Sequence, residues 1–305
     1  MSIPIIGFED GNAVLDWIEF TQALAKGHEL PKAEIGDTFL YRSPDTLLSR
    51  SAWIDGLGLA VKTANIFPGN PKAGKPMING SVCLYSDIDG QLEALVDFHL
   101  VTKWKTAGDS LLGALRLANP DAAEVLIVGA GTVGGSLIDA FSAGFPKAKI
   151  RVWNRTTAKA ADLVANHPGT QIAPDLEAAV RTADIIITAT MSSSPVIKGD
   201  WLRPGQHLNM IGAYRPDMRE VDDTALTRSK IYTDSFDTTL DHIGEFMIPL
   251  AAGVIQRSDV LADYYGLDGF PRFDPSQITL FKNGGGAHLD LITSHHILEK
   301  WKASA

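Results

Sequence analysis

The spacing of apolar positions changes several times along the chain. Over residues 7–26, Val14, Trp17, Ile18, Thr21, Leu24 and Ala25 recur at helical intervals and predict one amphipathic helix. Over residues 35–101 the apolar runs shorten. Residues 39–42, 46–50, 59–64, 81–85 and 92–96 read as short strands. The turns between them are rich in Gly, Pro and Asp, as in Phe67-Pro68-Gly69-Asn70-Pro71 and Asp87-Ile88-Asp89-Gly90. These strands predict a separate sheet or partial barrel. A helical pattern carried by Leu111, Leu112, Leu115 and Leu117 follows over residues 102–118, and Asn119-Pro120-Asp121 breaks it.

The next stretch organises the rest. The apolar run Val125-Leu126-Ile127-Val128 leads into Gly129-Ala130-Gly131-Thr132-Val133-Gly134. A small-residue helix pattern over 135–143 and a second apolar run, Ile150-Arg151-Val152-Trp153, come after it. A lone G-x-G-x-x-G is a weak signal, but here the flanking strand and helix supply the context of a dinucleotide fingerprint. Gly129 allows the tight turn and Gly131 lets the backbone approach a pyrophosphate. Gly134 lets helix and strand pack closely, with the helix N-terminus toward the phosphates. The second strand ends in Trp153-Asn154-Arg155-Thr156. A carboxylate for the ribose hydroxyls is missing there. Asn154, cationic Arg155 and hydroxyl-bearing Thr156 suit a 2′-phosphate, so NADP(H) is the expected cofactor, with NAD(H) the alternative.

Beyond Arg155 helix and strand alternate: helices over 158–166 and 176–181, strands over 184–190 and 207–212, an acidic helix near 222–228, and strands over 230–233 and 277–282. Alternation of this kind predicts an α/β fold with a central doubly wound parallel sheet, the Rossmann arrangement. Ligands of such sheets sit beyond the strand C-termini. That places Thr190-Met191-Ser192, Gly212-Ala213-Tyr214 and Asp234-Ser235 near the cofactor. A flexible Asn283-Gly284-Gly285-Gly286 precedes a final helix reaching Trp301.

With 305 residues, the chain is long enough for two domains. A net charge of −9 argues against nucleic acid and anionic membranes as partners, and makes local cationic clusters conspicuous. Cys83, the single cysteine, excludes an internal disulfide and fits a reducing cytoplasm. Met1-Ser2-Ile3-Pro4 does not read as a signal peptide, and no apolar run reaches a membrane span. Adjacent His295 and His296 face different sides of a helix. His288 and His295 share a face without a third ligand, so no metal is expected and the histidines read as solvated or capping.

Arg42, Arg50, Lys62, Lys103 and Lys105 recur at strand or helix starts of the first domain. A charge set in an apolar strand needs a partner, and an anionic substrate would be one. Lys62, in Leu59-Ala60-Val61-Lys62, is the most conspicuous.

Several motifs carry a resemblance. Ala60-Val61-Lys62 followed by Phe67-Pro68-Gly69-Asn70-Pro71, Leu100-Val101-Thr102-Lys103-Trp104-Lys105-Thr106-Ala107, and the glycine turn stand in order along nearly the whole chain. So do Gly212-Ala213-Tyr214-Arg215-Pro216-Asp217-Met218-Arg219-Glu220 and Thr279-Leu280-Phe281-Lys282. This set resembles the ornithine cyclodeaminase/mu-crystallin family. The resemblance implies a homodimer and a bound nicotinamide cofactor. It implies an α+β substrate-binding and dimerisation domain from both chain ends, residues 1–119 with 285–305 returning to it, and a Rossmann domain at 120–284. It also implies that Arg42 and Lys105 bind a substrate carboxylate, that Lys62 is the pocket lysine, and that Thr106 and Ser110 meet the cofactor phosphates. Asp290 matches an acidic position on the family's final helix. Where ornithine cyclodeaminases carry a catalytic aspartate this chain has Ala213 or Tyr214, and Asp217 is the first carboxylate in reach. Arg50 replaces an apolar residue and opens the possibility of a dicarboxylate substrate. The expected activity is NADPH-dependent reduction of a small imino acid such as pyrroline-2-carboxylate. Ornithine cyclodeaminase, alanine dehydrogenase, iminosuccinate reductase and a non-catalytic mu-crystallin-like binding protein are the alternatives.

Overall fold

A computed structural model describes residues 3–304, so the start of Met1-Ser2-Ile3-Pro4 lies outside the described residues. The chain forms two compact units. One runs to Lys105 and resumes at Gly286; the other is Thr106–Gly285.

The first unit opens with β1 (Ile5–Ile6), α1 (Phe8–Asn12) and α2 (Trp17–Gly27). The helix expected over 7–26 is therefore two helices. Asp16 separates them, because its side chain accepts the Ile18 and Glu19 N–H groups and starts α2 afresh. The strands β2 (Glu34–Arg42), β3 (Asp45–Ile54), β4 (Gly58–Ile66), β5 (Ile78–Tyr85) and β6 (Leu92–Asp97) follow. The sheet order is β1-β6-β5-β4-β3-β2, with β1 parallel to β6 and the other pairs antiparallel. One face carries Ala52, Ala60, Ala64, Val82 and Leu84, all buried. Against it packs the last helix of the chain, written below as α10 (Ala287–Ser304). Alanines on β3 and β4 let that helix come close. On the opposite face Leu40, Leu47 and Trp53 stay exposed.

The helix α3 (Phe98–Leu117) starts earlier than expected and crosses from one unit to the next. The division falls inside it, not at Asn119-Pro120. Past Lys105 its residues bond within the second unit: Asn209 Nδ2 donates to the Ser110 carbonyl, and Tyr264 OH to that of Asp109.

The second unit holds β7 (Glu124–Val128), α4 (Thr132–Gly144), β8 (Lys149–Trp153), α5 (Thr157–Ala165), β9 (Gln171–Ile172), α6 (Leu176–Thr182) and β10 (Ile185–Thr188). Then come β11 (His207–Met210), α7 (Asp223–Thr227), β12 (Ser229–Thr233), α8 (Phe236–Thr239), α9 (Gly244–Ala251) and β13 (Ile278–Lys282). Its seven strands are all parallel, in the order β12-β13-β11-β10-β7-β8-β9. The strand direction of travel reverses between β7 and β10. This is the doubly wound arrangement the alternation predicts, with its switch point beside the glycine turn. Val125, Leu126, Ile127, Ile185, Ile186 and Ile187 are buried on both faces, as continuous apolar runs in parallel sheets are. No helix among the described residues is long and apolar enough to cross a membrane.

Candidate active site

Gly129 has φ +126°, and a Cβ there would stand 2.5 Å from the Ala189 carbonyl oxygen. A Cβ on Gly134 would stand 2.7 Å from the Gly129 carbonyl oxygen. Both positions exclude any side chain. Gly131 differs: a Cβ there would meet nothing within 4 Å. It borders open space at the start of α4, where Gly131 itself is the N-cap and provides no side-chain cap. The first N–H groups of α4 are therefore left for an anion. A cavity of about 360 Å³ opens at this place, lined by Gly129, Gly131, Asn154, Arg155, Thr190, Met191 and Ser192 among others. Thr132 and Val133 lie in the first turn of α4, and Thr156 and Lys159 complete the cavity's cationic end. The residues present thus fit a dinucleotide.

Two side chains expected to meet the cofactor have other partners. Asn154 Oδ1 accepts the Ala130 N–H at 3.2 Å and its Nδ2 donates to the Thr156 carbonyl, so it braces the glycine turn. Thr190 donates from both N and Oγ1 to Glu220 Oε1. Gly212 is obligatory because a Cβ would stand 2.1 Å from the Thr190 carbonyl oxygen. The sequence reading overlooked Glu220. Its fully buried carboxylate also accepts the Gly212 and Ala213 N–H groups at Oε2, tying the loops after β10 and β11 together. Tyr214 is half exposed beside Arg215, whose guanidinium pairs with Asp217. Glu245 accepts the Glu220 and Val221 N–H groups. Burial and the neighbouring Glu220 charge push its carboxyl up to about 7. Lys282 is fully buried and donates to the Met210 and Asn283 carbonyls. The glycines after it are tied, not loose: Asp234 Oδ2 accepts the Gly284 and Gly285 N–H groups.

In the first unit, Lys62 and Lys105 come together. Lys62 on β4 donates to Thr102 Oγ1 at 2.7 Å and to Asp290 Oδ1 at 2.9 Å. Lys105 Nζ lies 3.0 Å from that same oxygen. All three are buried, Asp290 to 1% exposure. Burial pulls the Lys62 ammonium down to about 8, against the attraction of Asp290. Burial pushes the Asp290 carboxyl up, but Lys105, Lys62 and Arg50 outweigh it and hold it near 2. Arg50 stands directly opposite Lys62 in the β3–β4 pairing and is neutralised by Asp37 through three hydrogen bonds.

Arg42 does not join this group. Alternation from Asp37, which faces Arg50, puts Arg42 on the other side of β2. Its side chain is 80% exposed and pairs with Asp45 at 2.6 Å. Arg42, Arg50, Lys62 and Lys105 each have a carboxylate partner within the protein. Thr106 is the first residue of the second unit, and the nearby Ser110 is buried with its Oγ unpartnered among the described residues. His288 is not solvated. It is fully buried, ring to ring with His28 at 5.3 Å, and burial together with nearby cations holds its pKa well below the usual value. No group of three potential metal ligands stands together among the described residues.

A nucleotide cleft at the switch point of a parallel sheet, and a lysine pair on a second unit made from both chain ends, define a class of nicotinamide-fold proteins. Residues 54–305 match the model of the ornithine cyclodeaminase/mu-crystallin family. The Delta(1)-pyrroline-2-carboxylate reductase of Paracoccus denitrificans is 46% identical over 300 residues, covering 96% of this chain and 95% of that one. The fold superposes on the Thermococcus litoralis Delta(1)-pyrroline-2-carboxylate reductase in complex with NADH and L-proline with a TM-score of 0.89. Identity there is 25%, over 99% of this chain and 98% of that one. An archaeal alanine dehydrogenase dimer with bound NAD gives the same score at 25% identity, over 100% and 97% of the chains. The chain belongs to the ornithine cyclodeaminase/mu-crystallin family.

Proposed function

We propose that this chain is a nicotinamide-dependent reductase of a small cyclic imino acid, pyrroline-2-carboxylate or piperideine-2-carboxylate. The observation that carries the reading is the charge count at the lysine pair. Lys62 and Lys105 share one carboxylate, which leaves one net positive charge, while Arg50 is balanced by Asp37. One substrate carboxylate restores neutrality. The 46% identical relative supports the same substrate class.

The cofactor would be held by Gly129, Gly131, the α4 N-terminus, Arg155 and Thr156, and would supply the hydride. We favour NADP(H) because Arg155 and Lys159 line the cleft where a carboxylate for the ribose hydroxyls is missing. NAD(H) remains the alternative. The protein's own share is binding, orientation and a proton. Lys105 pairs with the substrate carboxylate. Lys62, fixed by Thr102 and Asp290, carries the proton that the imine nitrogen needs when the carbon is reduced. General acid help of this kind contributes about 10²–10⁴-fold.

A second reading, ornithine cyclodeaminase, needs a free carboxylate at the end of β11. Glu220 lies there, but both its oxygens are occupied by protein donors, which favours reduction. We also read the chain as a homodimer formed through the outer sheet face that exposes Leu40, Leu47 and Trp53. Sedimentation equilibrium giving the single-chain mass at micromolar concentration would remove that reading.

The deciding experiment is NADPH absorbance with purified protein and a panel of cyclic imino acids, beside ornithine with ammonia detection. Rapid oxidation with pyrroline-2-carboxylate is the expected result. Ammonia and proline from ornithine without net NADPH change would overturn the proposal.

A further inference from the structure

We propose that Asp290 is a positioning residue for the reductase chemistry: its Oδ1 clamps the Lys62 and Lys105 ammoniums against each other and keeps Lys62 charged until the imine nitrogen takes its proton. The inference rests on the reductase reading for its purpose but not for its test.

The geometry sets Asp290 apart from an ordinary ion-pair partner. One oxygen takes both ammoniums, at 2.9 and 3.0 Å, while Oδ2 is buried without a partner among the described residues. A carboxylate optimised for stability would divide two cations between its two oxygens. Burying three charges also returns little stability compared with apolar packing of equal volume. The arrangement therefore makes sense as a device for Lys62. Two of its N–H directions go to Thr102 Oγ1 and Asp290 Oδ1, and the ammonium lies 4.5 Å from the centre of the Phe98 ring. Thr102 is itself fixed, donating to the Phe98 carbonyl. The nitrogen is aimed, not mobile.

The charges around Lys62 oppose one another. Asp290 on α10 favours the ammonium. Lys105 on α3 and Arg50 on β3, the latter paired with Asp37, favour the neutral amine. His288 on α10, packed against His28 just past the end of α2, lies among the same groups and is uncharged at neutral pH. Asp290 thus prevents early loss of the proton, and Lys105 makes its later loss easier. With a nicotinamide bound to supply the hydride, the imine carbon would take it, the C=N π pair would move to nitrogen, and nitrogen would take the Lys62 proton. Lys62 is left as a neutral amine that regains a proton from water.

The test is direct titration of Lys62 in the whole protein. Cyanate carbamylates only neutral amines, and the Lys62 peptide is followed by mass spectrometry across pH, without substrate. In Asp290→Asn the midpoint for Lys62 is expected to fall by about 1–3 pH units. The kcat/KM profile should lose its alkaline side over the same interval, with activity recovered at lower pH. In Lys105→Met, which keeps the Lys62–Asp290 pair and guards against a misfolded Asp290→Asn protein, the Lys62 midpoint should rise. An unchanged midpoint in either folded variant overturns the proposal. Absence of imine reduction in the unaltered protein would instead sink the reductase reading, with the Lys62 titration still deciding the role of Asp290.

Discussion

Lys62 carries an unusual burden for one side chain: it is a charge in an apolar strand, and its neighbours decide how firmly it keeps its proton. Lys62→Ala is expected to lower kcat about 10²–10⁴-fold while the dissociation constant for NADPH, measured by fluorescence quenching, stays unchanged. Wild-type turnover in that variant would remove Lys62 from the chemistry. At the other ligand, Arg155→Asp should swing the kcat/KM ratio from NADPH toward NADH, because the new carboxylate repels a 2′-phosphate and accepts from ribose hydroxyls. A retained NADPH preference would show that Arg155 does not read the phosphate. Lys62 and the glycines were legible in the sequence because each stands out from its immediate surroundings. Asp290 was visible only as an acid on a helix, since its partner Lys62 lies 228 positions away. Arg42 was grouped with Lys62 through the family resemblance, which says nothing of the face of β2 on which it stands. Registration of β2 on β3 settles it.

Between residue and fold, the elements divide into those declared by period and those set by contacts. The central parallel strands β7 and β10 are carried by continuous buried apolar runs, Val125–Val128 and Ile185–Ile187, which declare themselves in the sequence. The first helix failed the same test. Its apolar spacing runs on past the break, and only the Asp16 side chain, bonding forward to Ile18 and Glu19, separates α1 from α2. Glu220 is a contact-set feature of another kind. It lies downstream of β11 yet accepts four hydrogen bonds from the loops after β10 and β11. Glu220→Ala leaves those buried donors unpaired, at about 1–3 kcal/mol for each group that water does not reach. Urea unfolding should show a loss of at least about 2 kcal/mol, with weaker NADPH binding, because both loops edge the sheet's switch point. Unchanged stability would mean that the loops hold their shape without it.

Across the whole molecule, the buried acids make stability depend on pH in a calculable direction. Glu245 has its folded-state pKa raised from 4.5 to about 7. The folded state therefore binds the proton more tightly than the unfolded chain, and this contribution, present below about 4.5, is lost as pH rises through 7. Glu245→Gln lacks that dependence. In urea series between pH 4.5 and 8 the stability difference should move in the variant's favour as pH rises; a constant difference would contradict the assigned shift. The nested connection of the two units has a consequence for how the protein is made. The strand bearing Lys62 and the helix bearing Lys105 leave the ribosome early, followed by the entire parallel-sheet unit, and α10 follows all of it. Until α10 emerges, the small alanines of β3 and β4 have nothing to pack against and the two ammoniums have no carboxylate between them. β13 lies between β12 and β11 in the parallel sheet, so the nucleotide fold is itself completed only just before α10 reaches the lysine pair. α10 thus follows the parallel-sheet unit in synthesis, and it is the element that brings Asp290 to the two ammoniums.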